Sequence, residues 1–209
     1  MNDNDDEQYE LVNTTATLRL ANAAASSGVN KFIFLSTIKV NGESTEINSP
    51  FTKDDFPNPG DPYAKSKYNA ELGLMKICEN SSLKYTIIRP PLVYGPGVKG
   101  NFLLLIKLLS KNLPLPFGAI NNRRSLVGIK NLISLIVECI KNENAKNEIF
   151  LISDNDDLST TILIKHLRES FKSKSLLIPV PRFFLNSLAL IVGKRNKMHK
   201  LLYNLQVDI

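Results

Sequence analysis

The chain has 209 residues, of which 43% are hydrophobic and 22% are charged, and its formal net charge is +6. These values are those of an ordinary globular domain and exclude a low-complexity disordered chain. The two cysteines, Cys78 and Cys139, lack metal-ligand spacing and predict reduced, buried thiols of a cytosolic protein rather than a disulfide framework.

In chain order, residues 8–28 predict a helix, because apolar residues recur there at helical spacing. Residues 31–35, KFIFL, form a continuous apolar run that is typical of a strand buried on both faces. Farther along, Asp61 is a good helix N-cap and Pro62 suits the first helical position. A helix is therefore expected from this point to about Cys78.

The second half of the chain continues the alternation of strands and helices. Strands are predicted at 84–88 and 148–152, and the helix predicted at 102–110 is apolar nearly all round, so we expect it to be buried. Three more helices are predicted, at 160–171, 183–192 and 196–204. This order indicates an α/β fold with a parallel sheet of about three strands.

Charge is unevenly distributed along the chain. The first ten residues carry five acids and no base, whereas residues 165–200 carry nine Lys or Arg and only one acid, Glu169. This basic segment is either an ordinary solvated surface or a surface that attracts an anionic substrate or an acidic membrane. It does not alternate aromatic with basic residues, so we expect no nucleic-acid partner. The apolar run at 183–192 is too short to span a bilayer, so no membrane span is expected.

The segment DPYAKSK at 61–67 places a phenol and an ammonium on one helix face, because Tyr63 and Lys67 are four residues apart. The helix N-terminus and the ammonium both favour a tyrosinate, so we expect the pKa of Tyr63 to fall from its usual value of about 10. Thr37 follows the strand at 31–35, at the sheet end where ligand sites of open α/β folds lie. Together these groups suit proton transfer at a sugar hydroxyl.

Each of these residues also has an ordinary structural interpretation. In a chain of this composition, about 0.5 matches of a Tyr and a Lys at this spacing arise by chance, so the spacing alone is weak evidence. Thr37 is also a common type of strand terminator.

Several stretches taken together carry a family resemblance. They are Asn13 to Thr17, 31–43 (KFIFLSTIKVNGE), 61–67, 89–97 (RPPLVYGPG) with Gly100 and Asn101, 122–127 (NRRSLV), and the final LQVDI. The chain resembles the extended short-chain dehydrogenase/reductases, specifically the NAD-dependent epimerase/dehydratase family in its nucleotide-sugar 4-epimerase and 4-keto-sugar reductase branch. The resemblance implies an incomplete Rossmann-type domain in residues 1–97. It also implies a mainly helical substrate-binding portion, intermixed with late Rossmann elements, in residues 98–209.

The resemblance implies NAD or NADP as cofactor, a UDP-sugar as substrate, and hydride transfer at C4 with Tyr63 as acid/base. The implied catalytic residues are Thr37, Tyr63 and Lys67. The implied cofactor-binding residues are Asn13, Ser36, Tyr63, Lys67 and Pro90. The implied substrate-binding residues are Thr37, Asn101 and Arg124, although Asn101 could instead cap a helix and Arg124 could be a surface charge. The family often forms homodimers through the helix that bears the tyrosine.

Two departures from the family pattern qualify this resemblance. Sugar 4,6-dehydratases follow the threonine with Asp-Glu, whereas here Ile38 and Lys39 follow it, so dehydration is disfavoured. The one Gly-x-Gly-x-x-Gly match, GPGVKG at 95–100, belongs to the family stretch that follows the strand at 84–88. The glycine-rich turn that binds the cofactor pyrophosphate after the family's first strand is therefore not visible in this sequence. We therefore expect a truncated family member whose strand at 31–35 has an open edge. The alternative is a non-catalytic fragment that cannot bind cofactor alone.

Overall fold

The chain begins with one long helical rod in the structure, a computed structural model that describes residues 3–98, 100–191, 193 and 195–209. The rod consists of α1 (Asp3–Tyr9), a π-helical segment (Glu10–Thr15) and α2 (Ala16–Ser26). Gly28 follows with a φ of 73°, a left-handed conformation that suits glycine and ends the helix. The predicted helix at 8–28 is confirmed, but its π-helical segment was not foreseen.

The main sheet has three parallel strands, β1 (Lys31–Leu35), β2 (Lys84–Arg89) and β5 (Glu148–Leu151), which confirms the three predicted strands. Their order in the sheet is β1-β2-β5. Within the described ranges β1 pairs only with β2, so its other edge is open, as expected. The fold is therefore the predicted incomplete Rossmann-type parallel sheet.

Helices cover both faces of this sheet. One face packs against α2 and α3 (Pro62–Glu79), and the other packs against α5 (Ile129–Lys141), which the sequence analysis missed. The first of these interfaces contains a continuous apolar cluster of Ala21, Phe34, Ala70, Leu74, Cys78, Leu83 and Ile87. Burial of this apolar surface is the main force that holds α3 in place beside the sheet.

A second, two-stranded parallel sheet was also not predicted. It pairs β3 (Leu92–Tyr94) with β4 (Leu126–Gly128), and each strand has only three residues. Such short strands give almost no periodic signal in the sequence.

The remaining helices form a separate helical lobe with its own core. The lobe contains α4 (Gly100–Ser110), α6 (Thr160–Ser170), α7 (Arg182–Ile191) and α8 (Arg195–Leu202). These helices confirm the predictions to within two residues at each end. None of the helices in the described ranges is long and apolar enough to cross a membrane. The expectation that α4 is buried all round is wrong, because Leu104 is half exposed and only one face of the helix is covered.

A buried ion pair fixes α3 against the end of β2. The Arg89 guanidinium donates to both carboxylate oxygens of Glu71, at 3.0 and 2.5 Å. It also donates to the side-chain oxygen of Asn41 at 3.0 Å. All three residues are almost fully buried, so this pair joins the helix, the sheet and the loop after β1 at one point.

Candidate functional site

The site begins at the carboxyl ends of β1 and β2. Thr37 lies just past β1 in an extended conformation and is buried, with 9% of its surface exposed. Its hydroxyl accepts a hydrogen bond from the backbone N–H of Lys39 at 3.4 Å, which caps a short 3₁₀ helix at Ile38–Val40. The N–H of Ile38 donates to the Pro90 carbonyl at 3.0 Å, so the two strand ends stay together.

The N-terminus of α3 brings the phenol and the ammonium to this end of the sheet. The Asp61 carboxylate accepts from the Ala64 N–H at 2.8 Å, which confirms the predicted N-cap and puts Tyr63 in the first helical turn. One turn later, the Lys67 ammonium donates to the Leu35 carbonyl at 2.9 Å. Lys67 therefore reaches the last residue of β1, directly beside Ser36 and Thr37.

The cation beside the Tyr63 ring is Lys39 rather than Lys67. The Lys39 ammonium lies 5.9 Å from the ring centroid. The Lys67 ammonium instead lies 4.6 Å from the ring centroid of Phe34. Burial raises the pKa of Tyr63 above its ordinary value, and Lys39 acts against this rise whereas Asp61 and Tyr9 add to it. The expected fall in the pKa of Tyr63 is therefore wrong for this structure, because the phenol is desolvated and Lys67 is directed elsewhere.

Lys39 belongs to a charge cluster that spans the two parts of the molecule. Its ammonium pairs with Asp61 and, at 3.5 Å, with Glu43. The Lys200 ammonium, on α8, lies 3.9 Å from Asp61. Although burial acts in the opposite direction, hydrogen bonds from Lys39 and the Ala64 N–H hold the pKa of Asp61 below its usual range. Asp61 therefore stays ionised and links the N-terminus of α3 to α8.

Replacing Lys39 with Met should raise the pKa of Tyr63 further, because it removes the cation that favours the phenolate. The measurement is a pH titration by NMR of the chain labelled at the tyrosine ¹³Cζ, with the signal assigned by Tyr63→Phe. Lys65→Met, at an exposed position on the same helix, is the control and should leave the titration unchanged. A Tyr63 titration that is identical in Lys39→Met and the parent chain would contradict the assigned role of Lys39.

Asn13 lies in the π-helical segment and contacts α3. Its side-chain amide donates to the Ser66 hydroxyl at 3.0 Å, and that hydroxyl donates to the Tyr63 carbonyl at 2.9 Å. The neighbouring Thr14 hydroxyl donates to the Ser66 carbonyl at 2.8 Å. The structure thus places Asn13 against the turn of α3 that separates Tyr63 from Lys67, and π-helical segments of this kind often occur at functional sites.

A cavity of about 210 Å³ lies between the sheet ends and the helical lobe. Its lining is mainly apolar, and its polar side chains include those of Thr37, Lys39, Arg124 and Lys200. The structure therefore brings Thr37 and Arg124 to one cavity. Tyr63 and Lys67 are not among the residues that line it. Among the described residues, the cavity lining carries three cations, Lys39, Arg124 and Lys200, and one acid, Glu43, so its net charge is positive and favours an anionic ligand.

Arg124 is a partly buried cation that lines the cavity rather than a fully exposed surface charge. Its guanidinium donates to the Tyr203 carbonyl at 3.0 Å, and burial lowers its pKa to about 10. Among the described residues, no carboxylate lies within 4.0 Å of this guanidinium. Since Arg124 stays charged at neutral pH, it can offer bidentate hydrogen bonds to an anion in the cavity.

The remaining predicted residues are Ser36, Pro90 and Asn101. The Ser36 hydroxyl is buried and has no hydrogen-bond partner in the described part of the chain, which leaves it available to a ligand. Pro90 is buried at the end of β2. The side chain of Asn101 lies outside the described residues.

Sequence reasoning missed Lys39 and Lys200 as members of the site. The sequence showed that a lysine stands two residues after Thr37, where dehydratases have an acid, but not that it reaches Asp61. Lys200 is distant in sequence, and only the packing of α8 brings it to the same carboxylate.

Comparison with known proteins identifies a matching family and several relatives. Residues 1–153 match the NAD dependent epimerase/dehydratase family. The chain is 46% identical over 202 residues to a UDP-glucose 4-epimerase of Vibrio cholerae, with 96% of this chain and 62% of the relative covered. It is 28% identical over 197 residues to the N-acetyl-alpha-D-glucosaminyl-diphospho-ditrans,octacis-undecaprenol 4-epimerase of Escherichia coli O157:H7, with 90% and 58% covered.

A solved structure agrees with the fold. The UDP-glucuronic acid 4-epimerase of Bacillus cereus, in complex with NAD, matches with a TM-score of 0.76 and 26% identity. That match covers 84% of this chain and 58% of the solved chain. The chain thus spans about three fifths of the length of the curated relatives that it matches.

Proposed function

Because this chain belongs to the NAD dependent epimerase/dehydratase family, we propose that it carries the acid/base and substrate-binding residues of a nucleotide-sugar 4-epimerase acting on a UDP-sugar in the cytoplasm. One observation carries this proposal. The helix with Tyr63 and Lys67 meets the carboxyl end of β1 through the Lys67–Leu35 hydrogen bond, and Thr37, just past that strand, lines a cavity together with the partly buried cation Arg124. The names of the relatives, which are 4-epimerases, support epimerisation over reduction.

The residues at the carboxyl end of β1 fit the nicotinamide end of a dinucleotide cofactor. The unpartnered Ser36 hydroxyl and the Lys67 ammonium lie at the carboxyl end of β1, where they could bind ribose hydroxyls and the nicotinamide amide. Gly28 is the only glycine before β1, so the residues that precede this strand do not provide the glycine-rich turn that would hold the pyrophosphate. When bound, NAD would accept and return the hydride at C4 of the sugar.

The side chains of this chain would handle the proton and the diphosphate. Tyr63 would exchange a proton with the 4-oxygen, and the Thr37 hydroxyl would share that hydrogen bond. When the 4-hydroxyl is oxidised, the Tyr63 phenolate would accept its proton, and when the 4-keto group is reduced, the phenol would return that proton. Burial raises the pKa of Tyr63 and so favours the phenol between these two steps. The Lys39 cation would favour the phenolate when the proton leaves, and Arg124 would hold the diphosphate.

A chimera tests this proposal. The segments of the V. cholerae relative that this chain does not match would be fused to the 209 residues, and the product assayed for interconversion of UDP-glucose and its 4-epimer. We expect epimerisation by the chimera, whereas the 209-residue chain alone should show no NAD binding by calorimetry. A folded chimera that binds NAD but does not epimerise would support a non-catalytic chain. Micromolar NAD binding by the lone chain would refute the importance of the absent glycine-rich turn.

A further inference from the structure

One residue of the NRRSLV stretch at 122–127 joins three parts of the molecule behind the cavity. Asn122 is buried, with 5% of its surface exposed. Its side-chain amide donates to the carbonyls of Leu201 and Tyr203 at 3.1 and 3.0 Å, and its side-chain oxygen accepts from the Thr160 N–H at 2.8 Å. Both N–H groups and the oxygen of this amide are therefore bonded, to residues 38, 79 and 81 positions away in the sequence.

These bonds satisfy backbone groups that helices leave unpaired at their ends. Thr160 begins α6, so its N–H has no carbonyl partner within that helix. Leu201 lies in the last turn of α8, so its carbonyl likewise has no N–H partner within α8. The Thr160 hydroxyl adds a further bond to the Leu201 carbonyl at 2.6 Å. Asn122 therefore holds the start of α6 and the end of α8 together.

The Tyr203 carbonyl connects this junction to the cavity. It accepts from the Asn122 amide and also from the Arg124 guanidinium, in both cases at 3.0 Å. Arg124 lines the cavity, whereas Asn122 is not one of the described residues that line it. Lys200, one residue before Leu201, lines the cavity as well. Asn122 thus fixes the acceptor that orients one cavity cation and the helix end that bears another.

The backbone of Arg124 is held independently of Asn122. The Arg124 N–H donates to the Leu158 carbonyl, and the Arg124 carbonyl accepts from the Leu158 N–H, both at 3.1 Å. The N–H of the next residue, Ser125, donates to the Leu205 carbonyl at 2.9 Å. Loss of the Asn122 amide should therefore leave the main chain at 124 in place and release mainly the guanidinium.

We propose that Asn122 is a positioning residue for anion binding, which holds the Tyr203 carbonyl where that carbonyl orients the Arg124 guanidinium for a diphosphate in the cavity. A guanidinium that is already held in one orientation loses less conformational entropy when its planar fork binds an anion. This inference rests on the proposed function in one respect, namely the assignment of Arg124 to the diphosphate of a UDP-sugar.

A double-mutant cycle tests the proposal on the 209-residue chain, with UDP as the ligand and calorimetry as the measurement. Asn122→Ser removes both N–H donors without adding a charge. It should weaken UDP binding about tenfold, and Arg124→Met should weaken it at least as much. Because Asn122 acts through Arg124, Asn122→Ser added to Arg124→Met should cause no further loss. If the two effects multiplied instead, Asn122 would act independently of Arg124 and the proposal would be overturned.

Thr86→Val is the control for lost stability alone. It removes the buried bond from the Thr86 hydroxyl to the Ala145 carbonyl at 2.5 Å, and neither residue lines the cavity. It should lower the melting temperature but leave UDP affinity within about twofold of the parent. A tenfold loss of UDP affinity in this control would assign the effect of Asn122→Ser to general destabilisation. If Asn122→Ser does not fold, Asn122→Asp, which keeps the acceptor for the Thr160 N–H, takes its place in the cycle.

The chimera with the V. cholerae segments separates this proposal from the proposed function. There Asn122→Ser should raise the KM for UDP-glucose about tenfold and leave kcat within about twofold of the parent. A chimera that does not epimerise, combined with a non-additive UDP cycle, would reject the proposed reaction and keep the role of Asn122. An active chimera whose KM is unchanged by Asn122→Ser would reject that role and keep the reaction. If neither the chain nor the chimera bound UDP, the diphosphate assignment of Arg124 and this proposal would both be wrong.

Discussion

Replacing Glu71 with Ala should lower the free energy of unfolding by about 3–5 kcal/mol, because the substitution leaves the buried Arg89 guanidinium without its carboxylate. Urea unfolding followed by circular dichroism measures this loss. Glu79→Ala, at an exposed position on the same helix, is the matched control and should change stability by about 0.5 kcal/mol or less.

A double variant tests whether the loss comes from the unpaired, buried Arg89 charge that Glu71→Ala leaves behind or from the absence of the ion pair itself. Glu71→Leu with Arg89→Met removes both charges and should recover much of the stability, since apolar replacement of a buried pair is often close to neutral. If Glu71→Ala were as stable as Glu79→Ala, the pair would have no structural role. Loss of the pair should also disturb the geometry of the candidate site, because the pair holds α3 against β2 and against the loop after Thr37.

Tyr63→Phe should cut the epimerase turnover of the chimera by about 10²–10⁴, because it removes the group proposed to exchange the proton. The change deletes one oxygen, so NAD affinity and the free energy of unfolding should stay close to those of the parent. Steady-state kinetics and NAD titration together measure these quantities.

The control for this substitution lies on the same helix. Tyr68→Phe makes the same chemical change at a partly buried position and should leave turnover within about twofold of the parent. Unchanged turnover in Tyr63→Phe would remove Tyr63 from the acid/base role, even if the chimera is an epimerase.

Local signals in the sequence were sufficient to predict most of the helices and strands near the site. Asp61 and Pro62 predicted the start of α3, and the apolar run at 31–35 predicted β1. By contrast, α5 was missed although its apolar residues recur at helical spacing, since Gly128 at its N-cap provides no capping side chain. The pairing of β3 with β4 depends on contacts between residues more than 30 positions apart, which no local pattern reports.

The electrostatics of the site were the least predictable part. Spacing alone correctly put Tyr63 and Lys67 on one helix, but it could not show that Lys67 bonds to a strand carbonyl and that Lys39 occupies the space near the phenol. The pKa of Tyr63 depends mainly on burial, which is a property of the assembled fold.

The Asp61 carboxylate makes two structural contacts that join different parts of the molecule. Asp61 both closes the first turn of the helix that carries the phenol and receives the ammonium of Lys200 from the C-terminal lobe. Because the Lys200 ammonium lies 3.9 Å from this carboxylate, a displacement of α8 would weaken the attraction between the two charges at the N-terminus of α3. A ligand that enters the cavity, which Lys200 also lines, would therefore change the electrostatic environment of Asp61 and of the neighbouring Tyr63.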